Sequence, residues 1–162
     1  RAWPRVVRTV PDAELVLAGD GEPDYVSALR TMVATLDIGR SVRFVGFVTG
    51  QQKLTLLSAA HASLLISFHE NFGVAALEAM AAGLPLVLSP TVHLAPFAHR
   101  HGLAIVADPA DSDALSRALV TALTDPAMRA HCERSGPELS RREFSVETIG
   151  RRLLAMYEEA RA

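Results

Sequence analysis

The sequence has few of the features that mark extracellular, membrane-spanning or nucleic-acid-binding proteins. Its single cysteine, Cys132, excludes an internal disulfide and fits a reducing compartment, so we expect a cytoplasmic protein. No apolar run reaches the ~20 residues of a membrane span, and the arginines of residues 1–9 precede no apolar run, so no signal peptide is expected. Sixteen basic and eighteen acidic residues give a net charge of −2, which offers nucleic acid no electrostatic attraction.

The composition is that of one globular domain spanning residues 1–162. Of these 162 residues, 49% are hydrophobic and 21% are charged, which excludes a disordered chain. A chain of this length buries roughly 70% of its unfolded surface and therefore needs no disulfide to fold.

Short apolar runs alternate with segments whose apolar residues have helical spacing. The predicted strands are 14–18, 42–47, 62–67, 84–88 and 103–106. The predicted helices are 1–10, 24–36, 51–60, 74–82, 111–123, 128–135 and 146–160. Continuous apolar strands between helices indicate a parallel sheet covered on both faces. The sequence therefore predicts an α/β fold, with a doubly wound, Rossmann-like parallel sheet of five strands.

Two glutamates stand out in a stretch that otherwise carries no fixed charge, residues 54–99. Glu70 follows the third predicted strand at its carboxyl end, where doubly wound sheets bind ligands. Glu78 lies about two turns into the next helix. Alternatively, Glu70 is a solvated loop acid and Glu78 a surface helix residue.

A glycine between the two glutamates suggests what they could bind. Gly73 lets the backbone approach a ligand, and the free N–H groups of residues 72–74 open the helix, as in many phosphate sites. This arrangement suits a pyrophosphate between two hydroxyl-bearing groups, with one carboxylate on each side.

The same segment carries a family resemblance. Residues 67–85, SFHENFGVAALEAMAAGLP, resemble the signature of family 4 (group 1) retaining glycosyltransferases: two glutamates separated by seven residues, then Ala-Met-Ala, a glycine and a proline. Residues 10–21 and 42–48 are similar to two strand regions of that family, and the resemblance covers about residues 2–125. It implies one half of a GT-B architecture, the C-terminal domain that holds a nucleotide-activated sugar, with the acceptor on an N-terminal domain.

The resemblance also implies roles for residues. Glu70 is the expected catalytic residue that holds hydroxyls of the donor sugar, and Glu78 is expected to hold the ribose. The amides of Phe72, Gly73 and Val74 are expected at the sugar and diphosphate. Four more positions complete the predicted donor site: His69, Asn71, Phe47 and Val48, the last two contributing backbone groups at the base.

Two of the donor-site predictions have plain alternatives. Gly19, after the first predicted strand, could line a phosphate or only form a turn. His69 could be a pocket residue or an ordinary loop residue. The histidines of the 93–101 loop lack nearby cysteines or acids, so neither a metal site nor a cofactor is expected.

The sequence departs from the family pattern in three places. The upstream Gly-Arg strand and Lys-Gly pair are missing, and with them the first strand and the acceptor domain. That strand belongs between strands 14–18 and 62–67, so we expect another segment to fill its place or the two strands to pair. Residues 89–96 replace a Gly-Gly-acid segment, and Lys53, the only lysine, receives no role.

The expected function is donor binding in a retaining glycosyltransferase that makes a polysaccharide, lipopolysaccharide or glycolipid. Its expected partners are a nucleotide-sugar donor and, through the missing domain, a saccharide or lipid-linked acceptor, so the isolated chain should be inactive. Peripheral contact of the arginines at 141–142 and 151–152 with the inner membrane face stays open. The alternatives are a non-catalytic nucleotide- or partner-binding domain and an epimerase- or phosphorylase-like GT-B protein.

Overall fold

Helices and strands alternate along residues 1–161, the part of the chain that the computed structural model describes. The helices are α1 (Trp3–Thr9), α2 (Pro23–Thr35), α3 (Gly50–Ala59), α4 (Val74–Ala81), α5 (Ala95–Arg100), α6 (Ser112–Thr124), α7 (Pro126–Phe144) and α8 (Val146–Glu159), with a 3-10 turn at Gly39–Ser41. The strands are β1 (Leu15–Ala18), β2 (Val42–Gly46), β3 (Ser63–Leu65), β4 (Leu86–Leu88) and β5 (Ala104–Val106).

All five predicted strands are present, and every strand pair is parallel. β1 pairs with β2, and β4 lies between β3 and β5, with Leu86 opposite both Ser63 and Ala104. Helices connect the successive parallel strands. The predicted Rossmann-like α/β class is therefore confirmed.

The prediction of one continuous five-stranded sheet is wrong. Within residues 1–161 the strands form two sheets, β1-β2 and β3-β4-β5, and no described segment lies paired between β1 and β3. The expectation that the two strands would pair directly is wrong as well. No residue of β1 or β3 is fully buried, so water can reach these edges. Their free backbone groups can be hydrated, so the gap avoids the cost of burying unpaired polar groups.

The core is built around β4, which is fully buried. Leu86 and Leu88 pack into a cluster with side chains of α4, α5 and α7. Val87 points to the opposite face, into a cluster with side chains of α1 and α6. Apolar side chains on both faces of this strand explain its uninterrupted hydrophobic sequence.

Two helix predictions need correction. We expected the helix that begins near Met128 to end at Ser135, before Gly136 and Pro137, but α7 continues to Phe144. Gly136 is buried against α4, and this packing offsets the helix-breaking tendency of the Gly-Pro pair. Residues 95–97, expected in a loop, begin α5, where Pro96 occupies an early helical position that suits proline.

Candidate functional site

The loop from β3 to α4 carries Glu70, for which the sequence predicts a catalytic role. Glu70 is half-buried and lines an open cavity of about 650 Å³ together with Phe68, His69, Asn71 and Thr91. Within residues 1–161 its carboxylate makes no hydrogen bond or ion pair. An unpartnered acceptor beside exposed polar side chains suits a hydroxyl-bearing ligand.

Helix α4 starts directly behind this loop on a residue that must be glycine. Gly73 has φ +88°, and a Cβ placed on it would lie 2.6 Å from Cγ1 of Val92. In the described chain the N–H groups of Phe72, Gly73 and Val74 donate to no protein acceptor. These free donors and the positive end of the helix dipole make the start of α4 a place for an anion.

Glu78, on α4, is held by a lysine of the preceding helix. Lys53 Nζ, on α3, lies 2.5 Å from Glu78 Oε1, and each side chain is a little over one-third exposed. Glu78 is therefore a partly exposed helix acid with an ion-pair partner on α3. Since the lysine bonds one carboxylate oxygen, the other oxygen can still accept a hydrogen bond.

The ends of β1 and β2 carry the remaining predicted positions. Ala18 pairs with Gly46, and the N–H of Gly19 donates to the Gly46 carbonyl at 2.8 Å. Gly19 thus lies beside the loop of Phe47 and Val48, in which the Phe47 ring is 71% exposed. No described hydrogen bond or ion pair joins these residues to the Glu70 loop. The link between the two regions is the Lys53–Glu78 pair, because α3 begins at the end of the Phe47 loop.

One side chain of the predicted site packs against the rest of the domain. The Phe72 ring packs edge-on against Phe144 of α7, with ring centroids 5.5 Å apart, although the residue is still 37% exposed. Val74 is exposed at the start of α4. Thr91, which was not predicted from the sequence, also lines the cavity. No role was predicted for Lys53, although its position next to an uncharged stretch with two acids could have indicated an ion pair with one of them.

The three histidines of residues 93–101, in and around α5, contact protein groups. Nδ1 of His93 lies 2.5 Å from the Asn71 carbonyl, and Nδ1 of His99 lies 3.1 Å from the Ala104 carbonyl. The His101 ring lies beside Phe97, with centroids 4.5 Å apart. No group of three or more potential metal-ligating side chains occurs in the described part of the chain. Nor does any helix among residues 1–161 have the length and apolarity to cross a bilayer.

The comparisons with known proteins agree on one family. A family model described as "Glycosyl transferases group 1" matches residues 1–139. A GDP-mannose-dependent monoacylated alpha-(1-6)-phosphatidylinositol monomannoside mannosyltransferase of Corynebacterium glutamicum is 32% identical over 160 residues, covering 94% of this chain and 41% of the relative. The chain thus spans about two fifths of the length of the curated relatives that it matches.

Solved structures share the fold. The Anabaena protein Alr3699/HepE in complex with UDP-glucose superposes with a TM-score of 0.83 at 24% identity, covering 98% of this chain and 44% of that one. The C-terminal domain of a group 1 family glycosyl transferase (LpcC) from Francisella tularensis gives a TM-score of 0.78 at 20% identity, covering 90% and 76%. The second protein is itself a single domain, so the observed architecture matches one domain of such enzymes.

Proposed function

The chain belongs to the group 1 glycosyltransferases, and on that premise we propose that it is the donor-binding domain of a retaining enzyme. One observation carries the proposal. The unpartnered carboxylate of Glu70 lines a polar cavity at the carboxyl end of β3, directly before the free amides that open α4. A nucleotide-activated sugar supplies both matching groups, hydroxyls for the carboxylate and a diphosphate for the amides.

Each predicted residue has a part in this binding mode. Glu70 accepts hydrogen bonds from hydroxyls of the reacting sugar, with His69 and Asn71 lining the same cavity. Glu78, oriented by Lys53, accepts hydrogen bonds from the ribose with its second oxygen. The 46–48 loop and Gly19 lie at the far side, where we place the base. The Anabaena neighbour, which binds UDP-glucose, supports a donor of this class.

The reaction breaks the bond between the anomeric carbon and the diphosphate, and forms a bond from that carbon to the oxygen of an acceptor hydroxyl, whose proton passes to the departing diphosphate. Negative charge then grows on the departing diphosphate. The amides of residues 72–74 and the α4 dipole stabilise that charge with little rearrangement, because the helix already fixes them. The proposal includes no metal or prosthetic group, so chelating agents should leave turnover unchanged.

The acceptor lies outside this chain in our proposal. A second domain brings a saccharide or lipid-linked acceptor to the donor, in the synthesis of a polysaccharide, lipopolysaccharide or glycolipid in the cytoplasm. The mannosyltransferase relative, whose acceptor is a phosphatidylinositol mannoside, supports this class of product. Positioning two reactants can supply ~7–11 kcal/mol of a barrier. The 162-residue chain alone should therefore bind a donor but transfer no sugar.

Calorimetric titration of the 162-residue chain with a panel of nucleoside diphosphates and their sugars tests the proposal directly. We expect weak binding that is selective for one base and one sugar. Absence of binding to every member of the panel would identify a non-catalytic domain instead. Turnover by the chain alone would show that the site is complete without a second domain.

Substitution of the two glutamates in the full-length enzyme tests their separate roles. Glu70→Ala should reduce turnover strongly while binding of the free nucleoside diphosphate stays nearly intact, because its contact is to the reacting sugar. Glu78→Ala should weaken the free nucleoside diphosphate by ~1.5–3 kcal/mol, the worth of a charged hydrogen bond. Glu133→Ala, at an exposed acid of α7, is the matched control and should change neither. Equal loss of nucleotide affinity in both variants contradicts the assignment.

A further inference from the structure

The loop that carries Glu70 is held at its beginning by hydroxyl groups from the segment after β4. Ser89 is fully buried, and its Oγ donates to the Ser67 carbonyl at 2.7 Å while accepting from the Ser67 N–H at 3.0 Å. Thr91 Oγ1 donates to the same carbonyl at 2.6 Å. Both polar groups of the Ser67 backbone are thereby bonded to side chains of residues 89–91.

The same segment also holds the end of the loop. The backbone N–H of His93 donates to the Asn71 carbonyl at 3.2 Å, and that of Leu94 to the Phe72 carbonyl at 3.1 Å. Nδ1 of His93 lies 2.5 Å from the same Asn71 oxygen. Because a carbonyl oxygen only accepts, Nδ1 must carry the proton in this contact.

Glu70 lies between these two anchor points without an anchor of its own. Its carboxylate has no partner in the described chain, and neighbouring Phe68 and His69 are exposed. Packing therefore does not hold these side chains, and the position of Glu70 depends on the backbone fixed at Ser67 and Asn71.

We propose that His93 is a positioning residue: its imidazole holds the Asn71 carbonyl and thereby fixes residues 68–71 between β3 and α4. Its role in catalysis rests on the proposed function. His93 does not line the Glu70 cavity, so it acts through the loop and not on a ligand. The imidazole is exposed, so core packing does not account for its placement. Where the family pattern has glycines, this chain thus has a side chain that braces the donor loop.

Two conservative variants separate this role from a general need for histidine. In His93→Asn the amide nitrogen takes nearly the place of Nδ1 and keeps the donor. In His93→Gln the amide lies nearer the place of Nε2, so the donor is displaced, and His93→Ala removes it. His61→Ala changes an exposed histidine before β3 and is the matched control.

Hydrogen exchange of the ligand-free 162-residue chain gives a readout that needs no activity. The amide of Leu94, which donates to the Phe72 carbonyl at the end of the loop, should exchange about 5-fold faster relative to its intrinsic rate in His93→Ala and His93→Gln, as expected for one lost hydrogen bond of about 1 kcal/mol. His93→Asn and His61→Ala should match the unsubstituted chain. Unchanged exchange in His93→Ala, or equal acceleration in His93→Asn, would overturn the proposal.

The full-length enzyme then tests the consequence for catalysis. His93→Ala should lower kcat by ~10-fold or more, with the KM for the donor changed less than about 3-fold, because a displaced Glu70 weakens transition-state contacts. His93→Asn should restore kcat. Faster exchange with unchanged kcat in His93→Ala would show that the contact only stabilises the loop, and would refute the positioning role. If the unsubstituted enzyme transfers no sugar, the proposed function fails, while the exchange measurement still decides whether His93 fixes the loop.

Discussion

Substitution of the buried Gly136 by alanine changes stability through two opposing effects, helix propensity and packing. Gly136 lies within α7, where the helix crosses the C-terminal end of α4. A Cβ on Gly136 would overlap the carbonyl oxygen of Met80 and lie 3.4 Å from the Cα of Gly83. Both of those groups belong to the backbone of a buried segment, so neither can rotate away as a side chain can.

The two effects of Gly136→Ala have opposite signs and different sizes. Replacing a glycine by alanine inside a helix favours the helix by ~1 kcal/mol. Overpacking a close-packed core costs ~1–3 kcal/mol and occasionally more. Because the overlap here is with backbone, we place the cost at ~3 kcal/mol and the net loss of stability at ~2 kcal/mol. In a chain of this size such a loss lowers Tm by about 4–8 °C.

The chain contains a glycine that isolates the propensity effect. Gly150 lies within α8, and a Cβ on it would have no neighbour within 4 Å. Gly150→Ala should therefore raise the free energy of unfolding by ~0.5–1 kcal/mol. Urea unfolding of both variants, followed by circular dichroism, measures the two changes. A Gly136→Ala variant as stable as the unsubstituted chain would show that α4 and α7 do not pack as closely as described.

Two further predictions concern titratable groups outside the candidate site. Burial raises the pKa of the Cys132 thiol to about 11. A thiol reagent should therefore label the native chain at neutral pH only as fast as the chain unfolds. The free energy of unfolding should fall as pH rises from ~9 towards 11, because the unfolded thiol ionises first. Rapid labelling of native protein would contradict this. Asp111 lies at the start of α6, and its pKa is lowered chiefly by the hydrogen bond that it accepts from the Ala114 N–H. The ionised carboxylate thus stabilises the folded state, so Asp111→Ala should lower Tm at pH 7. That difference should shrink as pH falls below ~4 and the carboxyl protonates, because the neutral group accepts the amide hydrogen bonds less strongly. Equal differences in thermal melts at pH 7 and pH 2 would refute this.

Much of the fold follows from local patterns in the sequence. Each strand lies within a mainly apolar run of four to six residues between segments of helical spacing, and the confirmed positions of all five strands depended on nothing else. The placement of Glu70, Gly73 and Glu78 on one strand-loop-helix unit is local too. For that reason the sequence alone could place these three residues close together, while their roles stay predictions.

What the sequence did not predict depends on contacts between distant segments. The continuation of α7 past Pro137 depends on Gly136 meeting the backbone of α4, more than fifty positions earlier. The Lys53–Glu78 pair joins residues of α3 and α4 that are 25 positions apart in the sequence. The contacts of Thr91 and His93 with the Glu70 loop arise only because β4 lies beside β3. Composition and spacing carry no record of such contacts, although the isolated lysine was visible.

The division of the sheet gives the molecule two regions of unequal cooperativity. Between residues 11 and 60 only Ile38 is buried, whereas every residue from 83 to 89 is buried. Local opening of the β1-β2 region therefore needs far less free energy than opening around β4. A nucleotide that contacts both Phe47, just after β2, and the Glu70 loop, just after β3, would connect the two regions. Its net affinity would be lowered by the free energy needed to order the β1-β2 region. The ligand would then act as a structural element of the domain, and ligand-free protein should be most sensitive to proteolysis in residues 11–60.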